Sequence, residues 1–184
     1  MPVRILGGVG MTGEPDDAAG PERPVPYREL FLRGHLTEPT LAVVRSEAGF
    51  HRLWAAAHAQ IGDLRHPGRP AVPPPPAVAW DRETVLVAAL GQRPTITGYA
   101  VYLSLRQNRY GVRVLVHEAL LDPAGDHPQA VGYPTILAAT AIGDADVAFH
   151  LQQPVTDYEP TPEQRAVRQQ AYDAWRLSEE RRRA

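Results

Sequence analysis

The sequence predicts an α+β fold. A mostly antiparallel β-sheet, closed as a small sandwich or open barrel, carries one packed helix near residues 46–61 and a C-terminal helix near 161–181. Three observations predict it. One apolar helical face runs through residues 50–61. Short apolar–polar alternations recur between residues 84 and 151, separated by turn residues. Thr161-Pro162-Glu163-Gln164 has the form of a helix start.

Residues 7–26 are rich in Gly, Pro and acidic side chains, so residues 1–26 are expected to form a flexible arm. Leu30–Leu32 and Leu41–Val44 are short strand candidates around the turn signal Glu38-Pro39. Ser46 is the expected N-cap of the first helix. Phe50, Leu53, Trp54, Ala57 and Ile61 share one face of it, and Gly62 supplies a stop. Residues 63–79 form a Pro-rich connector whose run Pro73–Pro76 favours extended polyproline II geometry. Val85–Leu90 is a continuous apolar run suited to a central strand. Val101, Leu103 and Leu105 alternate with polar neighbours, as do Val112, Val114 and Val116; the turn residues 107–111 between them predict a hairpin. Ile136–Ile142 and Val147–Leu151 form a further candidate pair about the turn 143–146. The last helix begins at Thr161 as N-cap with Pro162 at N1 and Gln164 at N3. Its narrow stripe of Val167, Ala171, Ala174 and Trp175 suits either the sheet edge or a partner chain, so homo-oligomerisation through this helix is one expectation. The domain plan is therefore the arm, a β-rich domain over 27–155, and a helix and tail over 156–184.

The chain has 184 residues, 43% hydrophobic and 22% charged, which fits one folded domain. A net charge of −2 gives no strong attraction to nucleic acid or anionic membrane. All 19 basic residues are arginine, which excludes Schiff-base lysines and a P-loop lysine. The absence of cysteine excludes disulfides, thiolate nucleophiles and cysteine metal sites. No run approaches the roughly 18 apolar residues of a membrane span, and the N-terminus lacks a secretory pattern, so a cytoplasmic location is expected.

Candidate chemistry is sparse. Glu47, His51 and His58 project at similar angles beside the apolar face of the first helix. Two turns separate the histidines, too far to chelate one ion unaided, and the pattern reads as a polar flank with a Glu47–His51 pair. No metal and no cofactor is expected. Ser46, Ser104 and Ser178 are the serines, none in a nucleophile elbow. Gly7-Gly8-Val9-Gly10 lacks the strand and helix that a phosphate loop requires. Asp122, Asp126 and His127 flank a Gly-containing loop and can form an acid–base group; they suit a solvated loop equally.

The segment Gly91–Tyr99 is the most specialised in the chain. Pro94 fixes φ, Gly98 admits conformations closed to other residues, and Thr95 and Thr97 can bond neighbouring backbone groups. Arg93 and Tyr99 are residue types that dominate interface hot spots. Tyr99 has a second reading, as the start of the next strand packed on the core. The expected binding set is Arg93, Pro94, Thr95, Thr97, Gly98 and Tyr99.

The order of a F-x-x-L-W helix, a Pro-rich gap, a strand ending in G-x-x-P-T, then G-Y and a later Y-P resembles the C-terminal domain of the PrcB family, named for a subunit of a bacterial protease complex. The matching residues are Phe50, Leu53 and Trp54; Gly91, Pro94, Thr95, Gly98 and Tyr99; and Tyr133 and Pro134, within roughly residues 40–151. The family commonly shows P-T-G-G-Y where this chain has P-T-I-T-G-Y. The resemblance implies a small β-rich, non-catalytic protein-binding domain, an accessory or regulatory subunit with a protein partner for which a protease is the candidate. The loop is also similar to the P-T-T-G-Y loop of chagasin-type cysteine-protease inhibitors, which implies the alternative of a protease inhibitor or regulator acting through residues 91–99. The rival class is a small hydrolase or ligand-binding domain using residues 117–127. A cluster of His117, Asp122, His127 and His150 would favour that class; a convex, exposed 91–99 loop would favour the binder.

Overall fold

The alternation in the predicted hairpin sorts its residues onto two faces, and the inward face builds the core. The structure, a computed structural model, describes residues 20–30, 32, 34–59, 72–95, 98–121, 130–153, 155–156 and 159–183. In chain order the elements are β1 (Arg23–Pro24), β2 (Arg28–Leu30), β3 (Thr40–Val44), α1 (Glu47–His58), β4 (Thr84–Ala89), β5 (Arg93–Thr95), β6 (Gly98–Asn108), β7 (Gly111–Leu121), β8 (Ala130–Gly132), β9 (Thr135–Thr140), β10 (Val147–Leu151), β11 (Val155–Thr156) and α2 (Pro162–Arg183). One sheet, the hairpin sheet, has the order β1-β6-β7-β10, with β11 continuing beside β7. A second sheet has the order β2-β9-β4-β3, and β5 and β8 form a separate two-stranded ribbon.

The sheets form a sandwich. Val101, Leu103 and Leu105 of β6 and Val112, Val114 and Val116 of β7 bury against Leu86 and Ala88 of β4 and Ile136 and Ala138 of β9. The opposite parity of β4 and β9, Val85, Val87, Leu137 and Ala139, packs on Phe50 and Trp54 of α1. The two central strands of this helix-backed sheet are thus buried on both faces, which explains their nearly continuous apolar sequence. Helix α1 starts as expected: Ser46 is extended and its hydroxyl accepts from the Gly49 amide at 3.3 Å. The Trp54 indole donates to the Pro73 carbonyl at 2.7 Å, so the Pro-rich connector is tied to the helix at that point. Ile61 and Gly62 lie outside the described residues.

Several expectations are corrected. Val147–Leu151 does not pair with the strand before it. β9 lies between β2 and β4, and β10 runs parallel to β7 in the other sheet. The turn at Gly143 (φ +54°) carries the chain across the sandwich, where Val147 and Phe149 join the inner face. In the helix-backed sheet the two doubly buried strands take the centre and leave the short β2 and β3 as opposite edges. The second strand forms over Arg28–Leu30 rather than 30–32. Residues 23–26, placed in the arm by their composition, are part of the fold: Arg23 and Pro24 pair with Gln107 and Arg106, and Thr140 donates to the Pro26 carbonyl at 2.8 Å. Residues 1–19 lie outside the described set.

The two long sides of the sandwich differ. β6 bonds β1 only at residues 106–107, which leaves a row of outer-edge carbonyls. Val101 O accepts from Arg168 Nη2 (2.6 Å). Leu103 O accepts from Tyr27 Oη (3.1 Å) and Gln164 Nε2 (3.2 Å), and Leu105 O accepts from the Val25 amide (3.0 Å). Arg168 also lies 4.3 Å over the Tyr102 ring and pairs with Glu29 of β2, bridging the sheets. Of the expected apolar stripe of α2, Ala171 is buried, Val167 is partly buried and Ala174 is exposed, and the side chain of Trp175 lies outside the description. On the other side β3 bonds β4 and β10 bonds β7, and among the described residues no further backbone bond reaches Thr40–Val44. Arg45 spans this seam, donating to Gly143 O (3.3 Å) and Ala145 O (2.7 Å), and Thr84 Oγ1 of β4 lies 3.5 Å from Gly143 O.

Candidate functional site

The residues singled out in the 91–99 segment assemble at the end of the sandwich opposite the β6–β7 turn. Gly91 leaves β4 with φ +70°, and a Cβ there would lie 2.8 Å from Pro39 Cγ, so both conformation and space call for glycine. The chain then forms β5, paired antiparallel with β8: Arg93 opposite Gly132, Pro94 opposite Val131, Thr95 opposite Ala130. Gly98 and Tyr99 already belong to β6, opposite Leu121 and Leu120. The segment is therefore a ribbon strand and a sheet strand rather than one continuous loop. Thr97 and the side chains of Pro94, Thr95 and Tyr99 lie outside the description.

Arg93 has an internal task. Its Nε and Nη2 donate to Glu118 Oε1 (2.7 Å) and Oε2 (3.4 Å). Glu118 follows Val112, Val114 and Val116 in the inward row of β7, and its side chain is 9% exposed. A carboxylate at the end of an apolar row is costly to bury unless paired. The two-pronged guanidinium supplies that pairing and clamps β5 to the end of β7. Nearby, Tyr133 follows β8 and stacks on His35 at 4.4 Å, and Pro134 accepts from the Leu90 amide at 3.0 Å. Gly91, Pro94, Thr95, Gly98, Tyr99, Tyr133 and Pro134 thus converge at one end, while Phe50, Leu53 and Trp54 sit on α1 behind the other sheet.

The histidine candidates separate. His51 pairs with Glu47 at 3.8 Å, as their spacing suggests. His58 does not join that polar flank. It is 3% exposed, with Nδ1 2.8 Å from the Trp54 carbonyl, because the helix end is covered by residues 34–35. Asp122, Asp126 and His127 lie outside the described residues, and no group of three metal-ligating side chains occurs among those described. His117 and His150 share the outward face of the hairpin sheet on neighbouring strands.

The sequence reading missed a contact on that face. Ser104 Oγ lies 3.1 Å from His117 Nε2 and 3.4 Å from Gln164 Nε2. Burial holds the His117 pKa below that of a free imidazole. A two-residue hairpin turn pairing Asn108 with Gly111 sets Tyr102 opposite His117 and Ser104 opposite Leu115, so the turn alone could have revealed this diagonal pair. Gln164 reaches it from the start of α2, where its Oε1 also accepts from the Thr161 amide (2.9 Å) in the expected capping box. At the other end of the molecule, Gly20, Pro21, Arg23, Gln107, Asn108 and Arg109 line an open cleft of about 420 Å³.

No helix among the described residues is long and apolar enough to cross a membrane. Comparison with protein-family models, with curated proteins and with solved structures finds no match to this chain.

Proposed function

We propose that this chain is a non-catalytic protein-binding domain, an accessory or regulatory component of a protein complex as the PrcB resemblance implies, and that the ribbon end of the sandwich is its recognition surface. The observation that carries the reading is the Arg93–Glu118 clamp, which fixes a two-stranded ribbon to the rigid end of the hairpin sheet. A preordered ribbon lowers the entropy cost of binding. Arg93 then acts as a support for the surface, and Pro94, Thr95, Thr97 and Tyr99 are its contact candidates. A protease remains the first partner class to test.

The experiment spares Arg93, because Arg93→Ala would strand a buried carboxylate and cost about 3 kcal/mol. Partners are captured with the wild type and with a Thr95→Arg/Thr97→Arg variant of equal melting temperature. The variant should lose the partner; retention with equal affinity would remove the ribbon from the account. The Ser104–His117 contact favours a second reading, a serine hydrolase. Labelling of Ser104 by a fluorophosphonate, abolished by His117→Ala in a folded variant, would support it. Its absence would leave the contact as a structural tie.

A further inference from the structure

We infer that β3 is a self-pairing edge through which two copies of this chain join their helix-backed sheets into one continuous sheet. The edge strand Thr40-Leu41-Ala42-Val43-Val44 has no charge, proline or glycine, and so lacks the usual devices that prevent edge pairing. Its five residues are all only half-buried, although Leu41 and Val43 reach the core between the sheets and Ala42 and Val44 reach the core under α1. A strand added at this edge would complete that burial and bond the outward backbone groups, which have no backbone partner among the described residues.

The occupant is a second copy because the strand is complementary to itself. A two-fold axis at Ala42 sets Leu41 opposite the partner's Val43 and Thr40 opposite the partner's Val44, apolar or uncharged at every level. The flanking charges have opposite sign. Glu38 is exposed before the strand, and Arg45 is exposed after it. Antiparallel pairing brings Arg45 opposite the partner's Pro39, one residue from the partner's Glu38, twice per dimer. The opposite sandwich edge cannot pair in this way, because Arg168, Gln164, Tyr27 and Val25 already occupy the β6 carbonyls.

Sedimentation equilibrium of the full chain across a wide concentration range should show reversible association to twice the 20.2 kDa monomer. Glu38→Arg should raise the dissociation constant about tenfold by opposing like charges at both symmetric sites. Adding Arg45→Glu should restore it, provided the double variant keeps the melting temperature of the single one, since Arg45 also donates to Gly143 O and Ala145 O within its own chain. Because the chain has no cysteine, Ala42→Cys supplies an independent test. Facing residues of an antiparallel pair have Cα atoms about 4.5–5.5 Å apart, within disulfide reach. Oxidised Ala42→Cys should form a covalent dimer far faster than an Ala148→Cys control on β10. A wild type that stays monomeric throughout, or equal cross-linking rates in the two cysteine variants, would overturn the assignment.

Discussion

The β6 side and the β3 side of this sandwich face the same physical problem and treat it differently. Each presents a strand whose outward backbone groups have lost a neighbour. On the β6 side the chain returns to cover them, first with residues 25–27 and then with Gln164 and Arg168 of α2. On the β3 side one arginine crosses the seam at one end, and the uncharged strand above it has no backbone partner beyond β4 among the described residues. A sealed edge is a matter of fold stability, whereas an open apolar edge is a matter of association. On the β6 side the described hydrogen bonds of α2 come from Gln164 and Arg168.

The contrast can be broken most forcefully at Arg168. Its guanidinium satisfies Val101 O, covers Tyr102 and pairs with Glu29, whose side chain is 13% exposed. Arg168→Ala should destabilise the fold by about 2–3 kcal/mol, read from urea unfolding, because it leaves a largely buried carboxylate and a carbonyl without partners. Gln164→Ala removes the side-chain half of the capping box, where Oε1 accepts from the Thr161 amide, and the bond to Leu103 O, and should cost about 1–2 kcal/mol in the same measurement.

Acid probes the sealed side differently. Arg28 grips Glu83 through two bonds of 3.0 and 2.8 Å and, with the Ala79 amide, holds its pKa down at about 2 from 4.5. A depressed carboxylate contributes stability that is complete above pH 4.5 and is lost as pH falls toward 2. Burial raises the Glu29 pKa despite Arg168, so its ionisation works against folding as pH rises past 4.5. Glu83→Gln should flatten the loss of stability below pH 4.5 and cost about 1 kcal/mol at neutral pH, since Arg28 is partly exposed. The smallest effect belongs to the open side. Glu38→Arg should change the stability of the dilute monomer by less than about 0.5 kcal/mol in thermal unfolding, while altering self-association.

Much of this architecture was legible in local sequence. Ser46 capped α1, the alternations at 101–105 and 112–116 became the long hairpin, and Thr161 with Gln164 formed the capping box. These signals are local, so periodicity and cap chemistry suffice to read them. The placement of strands was not legible. Nothing within Val147–Leu151 states that it runs parallel to β7, because that choice depends on which sheet has an inner-face vacancy for Val147 and Phe149. Arg23 and Pro24 looked like tail because two residues carry no period; their place depends on the β6 edge they pair with. At the candidate site the segment Gly91–Tyr99 was found by its backbone-fixing residues. The internal pairing of Arg93 was hidden because Glu118 is 25 residues away and lies just beyond the 112–116 alternation.

The central claim is that one long side is sealed by the chain itself and the other is available to a second copy. Hydrogen exchange of individual amides at low and high protein concentration tests it most directly. The amides of Val101 and Leu103 in β6 should exchange at rates independent of concentration. Those amides of Thr40–Val44 that do not bond β4 should exchange fast when dilute and become protected when concentrated. Equal and unchanging protection of both edges, or concentration dependence at β6 rather than β3, would contradict the account.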